Sequence, residues 1–171
     1  GTSPRGVYES WLEQLQDLLQ EQDQFIPFRP RKSSPLTRSA DYSHEALRDG
    51  IDRSLMDGDH GAWFSPGECC QCAFPAPASL TGVRIVVDTD CTDNTRLRRG
   101  WETSPVPREL PPMMPRDFDI QLLREGQWHT AAEIRDNWRR YLSVRLEGPP
   151  ASALRILWKR GWGEGAMHVF G

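Results

Sequence analysis

The chain has 171 residues, 37% hydrophobic and 26% charged, enough for one domain core without disulfide or metal staples. A formal net charge of −3 excludes a generic nucleic-acid-binding surface. No apolar run reaches the roughly 18 residues that a membrane-spanning helix requires.

The first element in chain order is a helix. Tyr8, Trp11, Leu12, Leu15, Leu18 and Leu19 recur at helical spacing, and Glu9, Glu13, Asp17, Glu21 and Asp23 accompany them with no basic residue. Residues 1–24 therefore read as an acidic amphipathic helix whose stripe packs on the following domain or on a preceding one. Residues 25–35, rich in proline and basic side chains, read as an extended linker. No signal peptide is recognisable, and both ends of the chain read as the cuts of a fragment.

From residue 36 the pattern changes to short strands with turn punctuation. Thr37 to Tyr42 is a candidate strand, and His44 to Ile51 a short helical turn. Trp63 and Phe64 precede a Ser65-Pro66-Gly67 turn. Cys69 to Phe74 is a strand in which Cys70 and Cys72 share one face and Cys69 takes the other. These thiols read as buried and free, with a disulfide from Cys70 or Cys72 to Cys91 and metal binding as the alternatives. Leu80 to Asp88 is the clearest β run.

Thr89 to Arg116 breaks the rhythm with five prolines and no period, which marks a long functional loop or lid. Phe118 to Arg124, Gln127 to Ile134, Trp138 to Leu146, Ala153 to Trp158 and Met167 to Phe170 complete the strands, with a tight turn at Glu125-Gly126. Short alternating strands without repeats are the signature of an all-β antiparallel sandwich, or jelly roll, over residues 36–171.

The chemistry-bearing residues give no catalytic constellation. His44, His60, His129 and His168 form no ligand pair, and no serine sits in a nucleophile elbow. Trp63, Trp138 and Trp158 are expected in the core, and Trp128, which follows the hairpin turn, in the core or in packing between strands. Trp101 and Trp162 lie in loops among polar or glycine residues, and a loop tryptophan beside Arg98 and Arg99 suits sugar binding. An aromatic face stacks on sugar C–H groups while guanidinium groups bind hydroxyls. The bland alternative is a tryptophan pinning its own loop. Asp49, Asp52 and Asp57 crowd one segment, a candidate structural calcium site, although the bidentate glutamate of an EF-hand is missing and Asx turns are the default. Asn137 and Arg140 are expected to serve structure. Lys32 and Lys159 are the only lysines among 21 basic residues, so arginine dominates. That bias reflects gene composition or a surface for carboxylates and phosphates.

The order of pieces resembles the galactose-binding-like jelly roll of discoidin or coagulation-factor type C domains and of many carbohydrate-binding modules. The pieces are Asp49-Gly50, Trp63, Ser65, Phe74-Pro75, the run Leu80 to Ile85, the Glu125-Gly126-Gln127-Trp128 turn, Asn137 with Arg140, and Leu154-Arg155-Ile156. A narrower resemblance is to the C-terminal region of the bacterial FAD-dependent oxidoreductase family. It rests on the run from Leu15 to Pro27, with Asp23, Ile26 and Pro27, and on Ser39 to Ser43, Asp49 to Arg53 and Ala62 to Gly67. That resemblance implies a non-catalytic accessory domain that docks on, or positions substrate for, an upstream catalytic domain carrying the FAD. This chain has no dinucleotide-binding fingerprint of its own. The alternatives are a stand-alone carbohydrate-binding module with a glycan partner and a discoidin-like protein-interaction domain. Gly161 to Gly165 departs from the family pattern, and the closing segment whose carboxylate often helps hold a structural calcium in sugar-binding relatives is not in this sequence, which puts the calcium site in doubt. The bacterial resemblance implies a secreted or periplasmic location among the expectations.

Overall fold

A computed structural model describes residues 34–52, 60–89 and 110–171, all within one compact unit, Ser33–Gly171. The expected N-terminal helix lies outside the described residues. The first described element is a short helix, Pro35–Ser39, where the sequence pattern reads as the start of a strand. Local chemistry decides it. The Ser34 hydroxyl accepts the Thr37 N–H at 3.1 Å, and Pro35 occupies the first helical turn, where its missing N–H costs nothing. Only β1, Asp41–Tyr42, is extended, and a single 3-10 turn, Glu45–Arg48, follows within the expected helical stretch.

The remaining strands are β2 (Ala62–Phe64), β3 (Cys69–Ala78), β4 (Gly82–Val86), β5 (Pro115–Arg124), β6 (Gln127–Ile134), β7 (Tyr141–Arg145), β8 (Ala151–Gly161) and β9 (Met167–Val169). One sheet has the order β1-β3-β8-β5-β6. Opposite it lie the pairs β2-β9 and β4-β7, joined by the Val87–Val169 bridge and by the Phe170 N–H donating to the Val86 carbonyl at 2.8 Å. All pairings are antiparallel, and the architecture is the expected all-β sandwich.

The period-2 alternation of β8 explains its place at the centre. Leu154, Ile156 and Trp158 turn into the core, while Arg155, Leu157 and Lys159 turn outward. Trp158 is fully buried between Phe118 of β5 at 4.9 Å and Phe64 of β2 at 5.5 Å, so one indole joins the two sheets. The tight turn at Glu125-Gly126 takes positive φ at both residues (50° and 75°), the primed hairpin geometry that matches strand twist.

Cys69, Cys70 and Cys72 are free thiols, and Cys91 lies outside the described residues. Burial pushes the Cys70 thiol up to about 12 and the Cys72 thiol up to about 11, so both stay protonated and act as small hydrophobes. Among the described residues no helix is long and apolar enough to cross a membrane.

Candidate functional site at the end of the sandwich

Antiparallel pairing of β2 with β9 sets Trp63 opposite His168. Their neighbours Phe64 and Met167 point into the core, so Trp63 and His168 share the outer face of that pair. The two rings stack with centroids 4.4 Å apart and planes 16° apart. His168 is buried, and its Nδ1 lies 2.7 Å from Asp88 Oδ2. Phe170 meets His168 edge-on at 4.8 Å, and the Arg140 guanidinium lies 5.5 Å from the Phe170 ring centre. The result is a continuous series of contacts, Trp63–His168–Phe170–Arg140, with Trp63 at its wet end. Trp63 keeps 49% of its surface exposed, which corrects the expectation of a core residue. Strand alternation puts it on the face opposite Phe64, and that face is not the core.

Arg140 also organises the neighbouring chain. Its Nη1 donates to the Thr89 hydroxyl at 3.2 Å and its Nη2 to the Asp52 carbonyl. Asp52 and Thr89 are the residues from which stretches 53–59 and 90–109 leave, and these two stretches carry Asp57, Arg98, Arg99 and Trp101. Those four expected site residues lie outside the described residues. Asp49 forms an Asx turn, its Oδ1 accepting the Ile51 N–H at 2.7 Å, and its Oδ2 lies 3.6 Å from His60 Nδ1. Among the described residues no group of three acidic, histidine or cysteine side chains is placed to hold a metal ion.

The adjoining loops are knitted together by buried polar contacts. Asn137 is buried, and its amide donates to the carbonyls of Pro115 and Arg139, each at 3.1 Å, while its oxygen accepts the Arg139 N–H at 3.0 Å. This is the structural role expected of it. The Trp162 indole N–H donates to the Asn137 carbonyl at 2.6 Å, and the Arg116 guanidinium lies 4.5 Å from its ring centre. Trp162 is half-buried, and these contacts pin the loop that carries it. Trp138, also expected in the core, is 65% exposed, with Arg139 5.2 Å from its ring centre. It precedes β7 rather than opening it, so no strand turns it inward.

Trp128 is half-buried on the outer face of the large sheet, beneath Arg155 at 4.2 Å, so of its two expected roles it takes packing between strands and not the core. Arg48 lies likewise 5.2 Å from the Tyr42 ring centre. The arginine bias thus has a structural use that the sequence does not reveal, since guanidinium groups lie over aromatic rings across the described surface.

The sandwich places the chain in the galactose-binding-like jelly-roll class of all-β domains. No family model matches the sequence, and no curated protein matches it. Among solved structures it is similar to the family 32 carbohydrate-binding module of Streptococcus pneumoniae EndoD. That match has a TM-score of 0.51 at 15% identity, over 76% of this chain and 88% of the module. The family 32 module of C. perfringens NanJ in complex with galactose gives a TM-score of 0.47 at 12% identity, over 76% of this chain and 87% of the other. A GH31 CBM32-2 module bound to GalNAc gives 0.47 at 8% identity, over 70% of each chain. At such identities the likeness is one of fold.

Proposed function

We propose that this chain is a non-catalytic carbohydrate-binding domain that holds a neutral glycan at the end of the sandwich, with Trp63 as the stacking platform. The observation that carries the reading is the half-exposed Trp63 ring held flat on buried His168. A rigid aromatic face offers sugar C–H groups a surface at little entropic cost, because its partner ring and Asp88 already fix it. Arg140 bonds to Asp52 and Thr89 beside this stack. Arg98, Arg99 and Trp101 remain in the proposal as the residues whose chemistry in the sequence suits sugar binding. The similar fold of a carbohydrate-binding module supports the reading. A structural calcium held by Asp49, Asp52 and Asp57 stays a proposal beside it, and loss of thermal stability in a chelator would test it.

The reading of an accessory domain docked on an FAD-dependent oxidoreductase has only the sequence resemblance in its support, and the fold adds nothing to it. A glycan array of neutral oligosaccharides probed with the whole chain tests the choice. Binding that Trp63→Ala abolishes is the expected result. An array without hits, or hits indifferent to Trp63, would overturn the reading.

A further inference from the structure

The large sheet turns a second, differently built face to solvent. The pairing register sets Gln71, Arg155, Gln121 and Thr130 in one row across β3, β8, β5 and β6. Next to that row the charges are matched. Asp119 takes Lys159 at 2.6 Å and Arg135 at 2.7 Å, and Asp117 takes Arg160 at 2.7 Å and Arg116 at 3.9 Å. Arg155 is different. Its Nε donates to Gln121 Oε1 at 2.6 Å, Gln121 Nε2 donates to the Thr130 hydroxyl at 3.3 Å, and its guanidinium lies 4.2 Å from the Trp128 ring centre. Among the described residues no carboxylate pairs with Arg155, and its two terminal nitrogens have no hydrogen-bond partner.

A guanidinium held by a ring and a neutral amide is an arginine with its orientation fixed and its charge unmatched. The planar pair of terminal N–H groups suits a carboxylate bidentately, and little side-chain freedom is left to lose on binding. The flanking amides of Gln71 and Gln121 and the Thr130 hydroxyl offer both donors and acceptors, the groups that sugar hydroxyls use. We propose that Arg155, braced by Trp128 and Gln121, forms a second subsite on this sheet face for the carboxylate of an acidic sugar, a uronic acid residue. That the carboxylate belongs to a sugar rests on the proposed function. The site itself is separate from the Trp63 stack.

The test is calorimetric titration of the whole chain with a galacturonate trimer, its methyl ester and a glucuronate-containing hexasaccharide. In the Trp63→Ala variant, which lacks the neutral-glycan platform, the expected result is binding of an acid form that weakens with salt and is absent for the ester. Arg155→Gln should lose at least about tenfold in affinity. Gln121→Glu should do the same without removing a single contact atom of Arg155, because it gives the arginine an internal carboxylate. Thermal melts check that both variants fold, and Trp63→Ala should leave acid binding unchanged. No binding of either acidic saccharide, or binding indifferent to both Arg155→Gln and Gln121→Glu, overturns the subsite. If neutral glycans bind through Trp63 while both acidic saccharides fail, the proposed function stands and the subsite falls. If the acidic saccharides bind through Arg155 and no neutral glycan binds, the reverse holds.

Discussion

Trp63 lies flat on His168, ring centroids 4.4 Å apart, and the pair joins two strands that are neighbours only in the folded chain. The buried imidazole fixes the indole, and the Asp88 carboxylate 2.7 Å from Nδ1 fixes the imidazole. Trp63→Ala is expected to abolish neutral-glycan binding while costing about 1 kcal/mol of stability, the scale of one aromatic pair at a half-exposed site. Urea unfolding beside the array separates the two effects. A loss of several kcal/mol would mean that Trp63 serves the fold instead.

Asn137 holds the turn before β7 through three hydrogen bonds from one buried side chain. Asn137→Ala should cost about 1–3 kcal/mol, because the Pro115 and Arg139 carbonyls lose their donor. Asn137→Asp keeps the shape and the acceptor but not the amide donor, so it should recover little of the loss. Equal stability of wild type and Asn137→Asp in urea titrations would show that the donated bonds contribute nothing.

Asp117 and Asp119 should make the fold acid-sensitive. Burial raises each carboxyl, but other contacts outweigh it. For Asp117 these are the Asp136 backbone N–H, Arg160 and Arg116, and for Asp119 they are Lys159 and Arg135. Both carboxyls are therefore held below the ordinary value of 3.8. A depressed folded-state pKa contributes stability that is fully present above the unfolded value and lost as pH falls through the folded one. The urea midpoint should thus be flat from neutrality to about pH 4–5 and fall below that. Asp119→Asn should lower stability by about 1–2 kcal/mol at neutral pH, less than a fully buried pair because Arg135 and Lys159 are partly exposed, and should flatten the acid slope. An unchanged slope would count against the linkage.

Glu125 sits at φ 50° in the β5–β6 hairpin, a conformation an ordinary side chain adopts at a cost. Glu125→Asn supplies the residue that such turns favour and should raise stability by about 0.5 kcal/mol, read as a higher melting temperature with glycan binding unchanged. A lower melting temperature would mean that the glutamate makes a compensating interaction.

Legibility varies by element. The Glu125-Gly126 turn and the span of β6 follow from local chemistry, because a two-residue turn fixes the register of the strands beside it. The burial of Trp158 follows from its alternation with Leu154 and Ile156. The start of the domain does not follow, since a Ser34 cap and Pro35 outweigh the extended pattern of Thr37 to Tyr42. Trp63 and Trp138 escape a reading of the chain because a large aromatic ring is most often core, and nothing local distinguishes a platform from a filler.

Period-2 alternation, turn residues and short strands are local properties, so the antiparallel sandwich could be read from the chain alone. Which face of β2 meets the core, and that His168 lies under Trp63, came only with folding. So did the meeting of Arg155 with a glutamine rather than an acid. Each of these depends on register between strands far apart in the chain. Alternation assigns a side chain to a face, but the partner strand decides what covers that face.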